Sequence, residues 1–167
     1  MSQADESAFR TFAVSRRPAL RRTAYLMCGD WHQADDLVQT ALTKLFVAWK
    51  RVRSDEQPDA YARRILTRCY LDERRRPWRR ESPVEVLHDA PTATRSTEDA
   101  LDLRVALDRL PARQRATLVL RFWADASVTE TADALGCSEG TVKSQTARAL
   151  STLRALLGDP VLLEELS

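Results

Sequence analysis

Residues 127–144 read Ser-Val-Thr-Glu-Thr-Ala-Asp-Ala-Leu-Gly-Cys-Ser-Glu-Gly-Thr-Val-Lys-Ser, and their spacing decides the fold. Ser127 with Glu130 three positions later is a capping box, which predicts a short helix from Val128 to Leu135 ending at Gly136. Ser138 caps a second helix that runs to about Leu157, where Gly158, Asp159 and Pro160 stop it. Ala132, Gly136 and Val142 hold the spacing of a helix-turn-helix. It needs a small residue where the helices cross, a glycine for the left-handed turn and an apolar anchor beneath the second helix. An ordinary αα-hairpin also turns at glycine, so the turn leaves both readings open. The outer face separates them: Thr141, Lys143, Ser144, Gln145 and Arg148 place polar donors in its first turns, where a recognition helix meets bases and phosphates.

Upstream, Leu103, Ala106, Leu107 and Leu110 share one face of a helix over about 100–110, and Pro111 opens another that runs to about Trp123. The first half is helical too. Gln33 to Trp49 carries Leu37, Val38, Leu42, Leu45, Phe46 and Trp49 at three- and four-residue spacing, with Asp30 as N-cap. Phe9 to Met27 reads as helix interrupted or restarted at Pro18. Arg51 to Asp59 reads as a polar connection, and about 60–75 as a third helix burying Tyr61, Ile65, Leu66 and Cys69. From Pro77 to Thr97 the periodicity dissolves among Pro77, Pro83 and Pro91, which marks a linker. With 4 Gly in 167 residues, the expectation is an all-α chain of two small helical domains joined by a flexible linker.

Charge is nearly balanced, 26 Lys+Arg against 24 Asp+Glu, but unevenly placed. Residues 1–76 carry net +5, residues 77–100 net −2 and residues 101–167 net −1. Arg74, Arg75, Arg76, Arg79 and Arg80 surround Trp78, a cluster able to neutralise phosphates and stack on an unpaired base; it would also suit a solvated helix end. Asp35 and Asp36 suit a helix N-terminus or a docking face for a basic partner better than acid–base chemistry, since they point in different directions. Cys28, Cys69 and Cys137 are odd in number and widely spaced, so they read as buried small hydrophobes, without disulfide or metal. No apolar run reaches the roughly 18 residues of a membrane span, and the first residues lack a signal-peptide pattern. There is no glycine-rich phosphate loop, metal-ligand spacing or Ser/Cys–His pairing, so an enzyme or a cofactor is not expected.

Four stretches together resemble the extracytoplasmic-function group of bacterial sigma-70 factors, and most closely its short actinobacterial SigE subgroup. They are Leu-Met-Cys-Gly-Asp-Trp-His-Gln-Ala-Asp-Asp-Leu-Val-Gln (26–39), Tyr-Leu-Asp-Glu-Arg-Arg-Arg-Pro-Trp-Arg-Arg-Glu (70–81), Leu-Pro-Ala-Arg-Gln-Arg (110–115) and Leu-Gly-Cys-Ser-Glu-Gly-Thr-Val-Lys-Ser (135–144). The resemblance covers about residues 8–157. It implies region 2 at 8–76, a linker at 77–98, region 4 at 99–157 and a short tail at 158–167.

By that resemblance the chain would be a promoter-specificity subunit of core RNA polymerase, in the cytoplasm and monomeric when free. Asp35, Asp36, Leu37 and Gln39 would grip the β′ clamp helices, and region 4 would reach the β flap. Arg51 and Arg53 stand in the loop that captures a flipped −10 base. Tyr61, Arg64, Arg68, Arg75, Arg76 and Trp78 would line the DNA path. Tyr61 stands where many relatives carry Trp, and Arg68 where many carry Asn. Thr141, Lys143, Ser144, Gln145 and Arg148 would read the −35 element, with Arg121 on phosphates. An anti-sigma factor is a candidate further partner. The alternative is a stand-alone helix-turn-helix regulator, which would need a dimerisation surface and an input domain.

Overall fold

The structure, a computed structural model, describes residues 1–55, 57–76 and 103–157, and all of its regular elements are helices. Helix α1 (Gln3–Cys28) begins six residues before the sequence pattern suggested, because Ser2 and Asp5 close a capping box across its first turn. It runs unbroken through Pro18. Pro18 and Val14 are both exposed, so water can take up the carbonyl that the proline ring leaves unbonded. Gly29 ends the helix at φ 78°, a left-handed conformation that glycine adopts without strain.

Helix α2 (Trp31–Asp55) starts behind Asp30, whose carboxylate accepts the Gln33 amide at 2.8 Å. The expected polar connection over 51–59 is largely absent, and this corrects the sequence reading. The apolar stripe continues past Leu45 and Trp49 to fully buried Val52, and an ion pair between Arg53 and Asp5 at 2.8 Å holds the last turn against α1. Pro58 opens α3 (Pro58–Arg75) at its first position. The three helices enclose Leu20, Met27, Leu37, Val38, Leu45, Leu66 and Tyr70.

In the second half, residues 103–108 form α4, followed by α5 (Ala112–Phe122), α6 (Val128–Leu135) and α7 (Glu139–Leu157). Ala106, Leu107, Leu110, Leu118, Ala149 and Leu153 make a core of their own. The other face of this half does not stand apart from the first. Ala116, Val119 and Leu120 of α5 and Ala134 and Leu135 of α6 belong to the same buried cluster as the α1–α3 core. The expected linker lies outside the described residues. Among the described residues, no helix is long and apolar enough to cross a membrane.

Candidate nucleic-acid interface

The turn between α6 and α7 is built as its residues require. Ser127 accepts the Glu130 amide at 3.0 Å, while Glu130 accepts the Ser127 amide at 3.2 Å. Gly136 takes φ 64° and ψ 42°, and the Cys137 amide reaches back to the Ala132 carbonyl at 3.0 Å. Ser138 caps α7 by accepting the Thr141 amide at 3.1 Å. Thr129 then ties the two helices by donating to Glu139 at 2.7 Å.

Val142, Ala149 and Leu153 turn one face of α7 fully inward, which leaves Lys143, Ser144, Ala147 and Arg148 exposed on the other. That free face can approach a duplex. Two of the expected contacts sit differently. Thr141 is half-buried with its hydroxyl against Ser138 at 3.0 Å, and Gln145 is half-buried with its side-chain oxygen enclosed and without a partner. Arg121 donates to the Ala126 carbonyl at 2.6 Å, so part of its guanidinium braces the loop that carries Asp125 at φ 52°.

On α3, Tyr61 lies between two guanidiniums. Arg51 donates to its hydroxyl at 3.0 Å, and Arg64 sits over the ring at 4.6 Å from the centroid. Arg75 and Arg76 are exposed at the end of the helix, and Trp78 lies outside the described residues. Arg53, expected with the −10 group, is instead drawn to the buried Asp5. The Ser2 hydroxyl first, then Arg53 among nearby cations, holds the Asp5 carboxyl below its usual range.

The α3 arginines also face the helix-turn-helix. Arg63 pairs with Glu130 at 3.0 Å, Arg64 with Asp133 at 2.6 Å, and Arg68 donates to the Asp133 backbone carbonyl at 3.1 Å. Within the second half, Arg113 of α5 donates to the Leu135 carbonyl at 2.7 Å and holds the end of α6. Sequence reasoning missed Arg63, Glu130 and Asp133 as a group. The partners are 67 and 69 positions apart, so only the packing of α6 on α3 brings them together.

The acidic start of α2 divides. Arg21 grips Asp35 through two nitrogens, at 2.7 and 3.3 Å, and that bond first of all lowers the carboxyl's pKa. Arg21 also covers the Trp31 ring, which stacks on Tyr25 at 3.8 Å. Asp36 and Gln39 are exposed, and Val47 continues this exposed side. Leu37 is only 1% exposed, so the expectation that it touches a partner is corrected: it anchors the helix in the core. Phe46, expected inside, is partly exposed and packs edge-on against Phe9.

The three cysteines are free, and burial pushes the Cys28 thiol up to about 11. Among the described residues, no group of His, Cys, Asp or Glu could hold a metal ion.

Comparison with known proteins matches this arrangement at both ends. Residues 12–80 match the family described as Sigma-70 region 2, and residues 106–155 match Sigma-70, region 4. The chain is 38% identical over 152 residues to the RNA polymerase sigma-E factor of Streptomyces coelicolor, covering 87% of this chain and 84% of that protein. It is 34% identical over 155 residues to the ECF RNA polymerase sigma factor SigM of Mycobacterium tuberculosis, covering 92% and 79%. Among solved structures it resembles the sigma factor RpoE of Bartonella quintana in complex with the anti-sigma factor NepR. The TM-score is 0.77 at 27% identity, covering 92% of this chain and 98% of that one. With both regions present in order on one helical chain, the protein belongs to the extracytoplasmic-function family of sigma-70 RNA polymerase sigma factors.

Proposed function

We propose that this chain binds core RNA polymerase and directs it to promoters by reading a −35 element with α7 and a melted −10 element with α3. The observation that carries this reading is the exposed Lys143, Ser144 and Arg148 face of α7, set on a capped helix-turn-helix within a chain of this family. Thr141 and Gln145 support that face from its edge, and Arg121 reaches phosphate with the nitrogens its loop leaves over. Arg51, Tyr61, Arg64, Arg68, Arg75 and Arg76 would hold the unstacked strand, since guanidinium and aromatic groups suit phosphate and base faces. Residues 8–76 serve as region 2, 77–98 as linker, 99–157 as region 4 and 158–167 as a tail.

Asp36 and Gln39 would meet the β′ clamp helices while Arg21 orients Asp35 behind them, and region 4 would meet the β flap. The protein itself supplies recognition, and the polymerase supplies the chemistry. Two weak DNA readers on one polymerase multiply their affinities, so neither half needs to be strongly basic. The protein would work in the cytoplasm, as a monomer when free, with an anti-sigma factor as a further partner. A stand-alone helix-turn-helix regulator is not favoured, because the match to region 2 has no role in it.

The test is transcription in vitro. Core polymerase and fragmented genomic DNA are incubated with the protein, and the transcript starts are mapped. Starts sharing one −35 and one −10 sequence, absent without the protein, are expected; no dependent starts would contradict the reading.

A further inference from the structure

We propose that the cavity between α1, the start of α3 and the loop after α5 is a binding site for a nucleoside monophosphate. The site goes beyond the function just given, since it shares no residue with the surfaces assigned to polymerase or promoter.

The cavity holds about 580 Å³, within the roughly 300–1,000 Å³ that small-molecule sites occupy. Part of its lining is apolar: Leu20 is buried, and Leu26 and Trp123 are half-buried beside it. An apolar wall accepts a planar base, and the Trp123 ring offers it a stacking partner.

Arg16, Arg22 and Arg63 line the same space. Arg16 pairs with Asp59 through Nη2 at 2.6 Å, and Arg63 with Glu130 through Nη2 at 3.0 Å. A guanidinium carries five N–H donors, so neither pair uses up its arginine. Arg22 is exposed and pairs with no carboxylate among the described residues. It is the donor that a phosphate meets uncommitted, and its planar fork can bind two phosphate oxygens together.

The acids in the lining, Asp59 and Asp125, narrow the ligand class. Ionised carboxylates only accept hydrogen bonds and repel an inorganic phosphate, whereas ribose hydroxyls and the N–H groups of a base donate to them. Asp125 is exposed and fixed in place: its φ of 52° is held by the Ala124 and Ala126 amides, which donate to the Val119 and Leu120 carbonyls at 3.0 and 2.9 Å. Three cations against two carboxylates leave a small positive excess, which matches one phosphate better than a triphosphate. Since α1 and α3 supply one wall and residues 123–125 the other, an occupant binds the folded chain and raises its melting temperature.

The test uses the full chain, with isothermal titration calorimetry and thermal melting in AMP, GMP, CMP or UMP, beside inorganic phosphate at the same concentration. At least one nucleotide should bind with a Kd below about 1 mM and raise Tm, while phosphate does neither. Arg22→Ala and Asp125→Gly should each weaken that binding about tenfold. Both should stay folded, because Arg22 is exposed and glycine adopts the left-handed φ of residue 125 without strain. Arg10→Ala removes an exposed charge from α1 outside the cavity and should change binding by less than about twofold. The site is overturned if no monophosphate binds, if phosphate binds as tightly as the nucleotides, or if Arg22→Ala and Asp125→Gly keep the wild-type affinity.

Discussion

Arg115 Nη1 donates to the Met27 carbonyl at 2.7 Å, joining α5 to the end of α1 across 88 positions of sequence. The same guanidinium donates to the carbonyls of Leu107, Asp108 and Leu110 at 2.7–3.0 Å, and its side chain is 2% exposed. One arginine thus ends α4, holds the 109–111 turn and pins the second half to the first.

Arg115→Met should therefore cost about 3–5 kcal/mol, because it leaves several buried carbonyls without a donor. Urea unfolding reads this as a lower midpoint. A loss under about 1 kcal/mol would mean that water replaces the guanidinium and that the anchor is weak.

Gly29 sits under a second arginine of this half. A Cβ at Gly29 would overlap Arg104 Nη2, and the residue's φ of 78° is left-handed. Gly29→Ala should lose about 1–2 kcal/mol from backbone conformation alone, with further loss from displacing the buried Arg104. Gly136→Ala has the same backbone penalty and nothing near its Cβ, so it should cost less. Equal losses in the two variants would show that Arg104 moves aside freely.

Cys28 provides a chemical probe of the same junction. A thiol pushed up from 9 to about 11 is about a hundredfold poorer in thiolate at pH 8, and only the thiolate alkylates. In the native protein Cys28 should label with iodoacetamide at least about a hundredfold more slowly than in urea, with the native rate still rising up to about pH 11. A native rate matching the unfolded one would contradict the burial.

The helix-turn-helix was legible in the sequence almost residue for residue. Its determinants are local: a capping serine, a glycine in a left-handed turn and a second capping serine, each satisfied within four positions. The ends of α1 and α2 were less so. The Ser2–Asp5 capping box carries α1 past the start of its apolar pattern, and the polar run Arg51–Asp55 hides a helical turn in which Val52 is the residue buried. Leu37 stands in the motif expected to grip a partner, yet its position on the buried stripe assigns it to the core. The seam between α3 and α6 was not legible at all, because opposite charges nearly seventy positions apart carry no periodicity.

Removing the exposed cations of α7 should weaken promoter use without unfolding the chain. Lys143→Ala/Arg148→Ala should lower transcription by polymerase carrying this protein by about tenfold or more, and reduce the salt dependence of promoter binding. Unchanged transcription would remove α7 from promoter recognition.

The most direct measurement mixes the purified chain with core bacterial RNA polymerase and follows both on a sizing column, beside an Asp36→Arg/Gln39→Ala variant. Both residues are exposed on α2, so the variant should stay folded. The wild type should co-elute with polymerase and the variant should run free. A wild-type chain that stays off the polymerase at low salt would contradict it.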